Sequence, residues 1–74
     1  MRTSDEHHEL FKKMVDFAKS EQTPLGGCYY LDEKLIMYLC GSNYRSTCLY
    51  AVTSGLARYM DDKFGLVIDA HVQI

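Results

Sequence analysis

Apolar residues recur along this chain with two different periods, and the switch between them outlines the elements. Leu10, Phe11, Met14, Val15, Phe17 and Ala18 return every three or four positions, while Glu9, Lys12, Lys13, Asp16 and Lys19 fall mostly on the other side. That spacing predicts an amphipathic helix. Thr3-Ser4-Asp5-Glu6 fits a capping box ahead of it, with Thr3 and Glu6 bonding to each other's amides. Asp5 and Glu6 near the start and Lys19 near the end suit the helix dipole. Pro24, Gly26 and Gly27 then mark residues 20–27 as a loop.

Cys28 to Leu31 reads as a first strand, Asp32-Glu33-Lys34 as a turn, and Leu35 to Cys40 as a second strand. The second is apolar on both faces, with Leu35, Met37 and Leu39 against Ile36, Tyr38 and Cys40, which suits the centre of a sheet. Gly41-Ser42-Asn43 ends it, and Ser42 or Asn43 can cap a second helix. The stripe of that helix is Cys48, Leu49, Val52, Leu56, Tyr59 and Met60, with Gly55 inside it and Gly65 as its stop. From Leu66 to Ile74 apolar residues alternate up to the last position, with Val67, Asp69, His71 and Gln73 between them. Alternation predicts a strand, here ending on an uncovered edge. Asp69 and His71 would share its polar side and form a charge pair.

The predicted order is α-β-β-α-β over a single domain, residues 1–74. It implies an α+β fold: a three-stranded sheet with two helices on one face. Nothing is left to cover the other face, and an apolar patch of that kind marks a contact surface. Ile36, Tyr38, Val67, His71 and Gln73 are the expected partner-binding residues. Six tyrosines, with apolar bodies and polar tips, add to the material for recognition.

Composition narrows the partners. Seventy-four residues bury only about 60% of their unfolded surface, so oligomerisation is a natural supplement. The net charge is −2 with the signs interspersed, which argues against nucleic acid as a partner. No apolar run approaches the roughly 20 residues that span a bilayer, and the polar start from Met1 to Glu9 does not resemble a signal peptide. Cys28, Cys40 and Cys48 form no CxxC pair, which favours reduced thiols and a cytoplasmic location.

Several strings touch on chemistry. Tyr59-Met60-Asp61-Asp62 resembles the metal-holding YMDD string of reverse transcriptases, but a third carboxylate and most of such an enzyme are missing, so it reads as a solvated helix end. Cys40 to Arg45 resembles a tyrosine-phosphatase loop, yet four residues separate Cys from Arg where that family needs five. What survives is an anion site by geometry, with Gly41, Ser42, Asn43, Arg45, Ser46 and Thr47 supplying donors at a helix start. His7, His8 and His71 with the three cysteines lack the paired spacing of zinc ligands. A Cys–His catalytic pair has no third group. No metal, cofactor or catalysis is therefore expected. The leading expectation is a non-enzymatic protein-interaction module, a homodimer or an inhibitor or adaptor docking on a larger protein. In size and character it is similar to inhibitors encoded by phages and mobile elements, anti-CRISPR proteins among them. The alternative is a small phosphate or nucleotide binder using Gly41 to Thr47.

Overall fold

The computed structural model describes residues 3–60 and 65–73. The first helix, α1 (Thr3–Glu21), buries Phe11, Met14, Val15 and Ala18 along one stripe, as its spacing predicts. The proposed capping box falls on Thr3 and Ser4, whose side chains lie outside the described residues. Strand β1 (Cys28–Asp32) follows the glycine-containing loop.

Asp32 then redirects the chain. Its backbone is extended (φ −79°, ψ 170°), and its side chain accepts a hydrogen bond from the Leu35 amide at 2.8 Å. That is an N-cap, and Glu33 in the first turn suits the positive end of the helix. Residues expected to form a second strand therefore form helix α2 (Glu33–Cys40). Ile36, Leu39 and Cys40 lie at i, i+3 and i+4 and are buried, while Met37 and Tyr38 face outward. A six-residue apolar run fits both periods. The cap chooses the helix, and Leu and Met, which carry no branch at Cβ, favour it.

Gly41 ends α2 with φ 63°, and its amide bonds to the Met37 carbonyl. A single 3-10 turn (Gly41–Asn43) leads directly into α3 (Tyr44–Thr53). This helix is shorter than its apolar stripe suggests. Gly55, at φ 76°, is the stop, not an interior residue. The amides of Ser54, Gly55, Leu56 and Ala57 satisfy the last carbonyls, those of Tyr50, Val52 and Ala51. The next residues form a short strand, β2 (Arg58–Tyr59), which pairs with β3 (Gly65–Asp69). Gly65 opens a strand and does not close a helix. A Cβ there would stand 2.7 Å from the Leu31 carbonyl oxygen, so only glycine permits this approach of β3 to β1.

The sheet is antiparallel throughout, in the order β1-β3-β2. The α+β class and the three-stranded sheet match expectation. The order of elements differs: α-β-α-α-β-β replaces α-β-β-α-β, and β3 rather than the segment after β1 is central. Nor does β3 run to the chain end as an open edge. It stops at Asp69, where a turn at Ala70 and His71 follows. Tyr29 pairs with Ile68 and Leu31 with Leu66, and all four are buried on the face the helices cover. The opposite row, Tyr30–Val67–Arg58, lies on an open face.

Replacing Asp32 by Ala should cost about 1 kcal/mol of stability in urea unfolding, while Asp32→Asn, which keeps an acceptor, should lose much less. Equal stability of all three proteins would mean that the cap does not hold α2.

Candidate nucleic-acid interface

The second and third helices, α2 and α3, are joined by three residues, the first a glycine at positive φ. Two helices joined by a short turn that contains glycine share the connectivity of a helix-turn-helix unit. In such a unit the start of the second helix and its outward stripe are the reading surface. Here the inner side of α3 is Thr47, Cys48 and Ala51, all buried, and α1 packs along it. The outward stripe is Arg45, Leu49 and Thr53, at i, i+4 and i+8. Leu49 is 56% exposed, and the Thr53 hydroxyl donates back to the Leu49 carbonyl at 2.8 Å.

Arg45 is the charged group of this surface. Its Nε donates to the Tyr44 hydroxyl at 3.0 Å, and its guanidinium carbon lies 5.6 Å from the centre of the Tyr44 ring. The hydrogen bond to Tyr44, with Glu33 as a more distant negative neighbour, raises its pKa further, so the charge is permanent. Two contacts to the neighbouring ring fix the direction of a long side chain that would otherwise be free.

The Gly41–Thr47 set divides. Ser42, Asn43 and Arg45 point into solvent. The Gly41 amide is taken by Met37, and the Ser46 hydroxyl donates to the Asn43 carbonyl at 3.2 Å. Neither Ser42 nor Asn43 caps α3 with its side chain, because the 3-10 turn supplies the Gly41 carbonyl to the Tyr44 amide instead. Thr47 is fully buried, so it is not open to a ligand, and its hydroxyl faces the Cys40 thiol, whose pKa burial raises and this contact pulls down by less. The exposed members, Ser42, Asn43 and Arg45, thus stand apart from the buried Thr47 and from the Gly41 amide and Ser46 hydroxyl, which are engaged by backbone carbonyls.

The expected partner-binding residues also separate. Ile36 is fully buried in the core, because the helical period turns it inward. Tyr38 is 81% exposed on α2. Val67 lies on the open sheet face, on the other side of the molecule from the helices. His71 and Gln73 are exposed beyond the end of β3. The Asp69 carboxylate accepts from the His71 backbone amide at 2.7 Å, so the side-chain pair foreseen on a shared strand face is replaced by a turn. Tyr59 and Met60 belong to β2 and its exit rather than to a helix end, and Asp61 and Asp62 lie outside the described residues.

One contact had no signal in the sequence. His8 Nδ1 and the Tyr50 hydroxyl lie 2.8 Å apart across 42 positions, with the rings in an edge arrangement, and they fasten α1 to α3. The buried thiols have no reactive character. Burial, and then the neighbouring Cys40, push Cys48 up to about 12; burial likewise raises Cys40. Both shifts favour the protonated form. No helix among the described residues is long and apolar enough to cross a membrane. No family model matches the chain, and neither the curated proteins nor the solved structures yielded a match.

In the folded protein at pH 8, a thiol reagent should modify Cys28 quickly and leave Cys40 and Cys48 until the chain unfolds. Because the folded state holds the Cys40 and Cys48 protons more tightly than the ordinary value of 9.0, their contribution to stability is full below pH 9 and falls as pH rises towards 12. Cys48→Ala should flatten that decline. A decline that is unchanged in the variant would contradict the assignment.

Proposed function

We propose that this chain is a small helix-turn-helix module that docks α3 against double-stranded DNA, with Arg45 as the principal contact. The observation that supports it is the α2–turn–α3 unit carrying an exposed, pre-aimed arginine at the second position of α3. Helix, strand, helix, turn, helix and hairpin, with the last strand central, is also the arrangement of winged helix-turn-helix domains; that support is analogy at the level of fold. The chemistry of the outward stripe fits base edges: an arginine matches guanine, and the Leu49 methyls match a thymine methyl. Ser42 and Asn43 can reach phosphate oxygens, which position without reading sequence.

Charge sets the strength of this binding. A net charge of −2 gives no long-range attraction to DNA, so non-specific affinity must be weak and shallow in its dependence on salt. A second reading is a non-enzymatic protein-interaction module, a homodimer or an inhibitor or adaptor that docks on a larger protein. It draws on the same low charge and on Tyr38, which at 81% exposed on α2 is a large apolar body without cover.

The test is selection of bound duplexes from a random-sequence library, followed by fluorescence anisotropy of the enriched duplex at about 50 mM salt, where phosphate contacts are strongest. The expected result is saturable binding that Arg45→Ala weakens about tenfold, in line with about 1–3 kcal/mol for a well-formed base contact. Tyr38→Ala should leave it unchanged. Absence of binding by the intact chain, or equal binding by Arg45→Ala, would overturn the DNA reading and favour the protein partner.

A further inference from the structure

We infer that the open face of the sheet is where a second copy of this chain binds. The inference does not depend on what α3 docks against, since the helices lie on the opposite side of the sheet. The open face carries Tyr30 at the edge, Val67 at the centre and Arg58 on β2, in one register row. Asp69 lies two residues beyond Val67 on β3, on the same face. Tyr30 is 43% exposed, and Arg58 and Asp69 are exposed as well.

The charges decide the occupant. Arg58 and Asp69 line one depression of about 230 Å³ with Val67 between them. The described hydrogen bond of the Arg58 guanidinium is a long one, 3.9 Å, to the Cys28 sulfur. The Asp69 carboxylate accepts from the His71 amide and has a second oxygen to offer. The face thus holds one cation and one anion beside an apolar centre, and it is complementary to itself. A two-fold axis through the face would bring Arg58 of each copy to Asp69 of the other and place the Val67 and Tyr30 side chains between them. An acidic or basic partner would satisfy only one of the two charges.

Size adds a constraint. Three short strands offer a patch of roughly 15 by 17 Å, smaller than the roughly 800 Å² per partner of an ordinary interface. The contact must therefore extend to Leu25, which is 67% exposed and lines the neighbouring depression with Cys28 and Tyr30.

The test is the solution mass of the intact chain by sedimentation across a dilution series, for the wild type, Arg58→Asp, Asp69→Arg and the double variant. The expected result is a wild-type dimer at micromolar concentration, weakened about tenfold or more by either single reversal because like charges then meet. The double variant should recover most of the loss. Should a reversal unfold the chain, as circular dichroism would show, Tyr30→Lys at the exposed edge takes its place and should also give monomers. A wild-type monomer, a dimer indifferent to these changes, or a double variant as weak as the singles would overturn the inference. Arg45 is untouched in every variant, so duplex binding measured on monomeric variants reports separately on α3.

Discussion

One hydrogen bond, from the Leu35 amide to the Asp32 carboxylate at 2.8 Å, stands at the branch point of the fold. Before it the chain is a strand paired with β3; after it the same kind of apolar sequence is a helix. With the cap in place, Ile36, Leu39 and Cys40 fall on one side and enter the core beside Phe11, Leu31 and Leu66. Had residues 35–40 stayed extended, Ile36, Leu39 and Cys40 would not fall on one side, since a strand alternates its faces. An N-cap stabilises by only about 1 kcal/mol. Its influence here comes from the ambiguity of the six residues that follow, which pack well in either form.

The direction of α3 follows from that helix. The Gly41 backbone at positive φ and the 3-10 turn carry the chain from α2 into α3 within three residues, and α3 packs on α1 with Thr47, Cys48 and Ala51 buried. The His8–Tyr50 contact fastens the same pair of helices nearer the surface. With its inner side engaged, α3 presents Arg45, Leu49 and Thr53 as its most exposed stripe. In the proposed docking, a single cation held against the Tyr44 ring would add little electrostatic attraction and lose little side-chain freedom, which would favour selectivity over strength. The two sides of the molecule thus have separate characters: Arg45, Leu49 and Thr53 on the helical side, and an open sheet face with Val67 between Arg58 and Asp69 on the other.

Much of this was legible in the residues, and what was not has definite physical causes. The first helix had six apolar positions at one consistent period, so its burial stripe could be read directly. The alternation around Leu66, Val67 and Ile68 gave the faces of β3 correctly, but not its end, because Asp69 turns the chain with its side chain while the alternation continues past it. Residues 35–40 carried both periods at once; choosing a period of two placed Ile36 on a surface when the helix buries it. Gly55 and Gly65 exchanged roles because their requirements, positive φ in one and lack of room for a Cβ in the other, leave the same letter in the sequence. A two-residue strand such as β2 has no period to read. The donors between Gly41 and Arg45 were visible as an anion-binding group, yet which of them stay exposed depended on the element before them.

The most direct measurement is a two-dimensional NMR titration of the isotope-labelled chain with a short duplex, following every backbone amide. The account predicts shifts concentrated at Ser42, Asn43, Arg45 and Leu49, with Tyr30, Val67 and Arg58 unmoved. Shifts centred on the open sheet face, or none at concentrations that saturate weak binding, would contradict it.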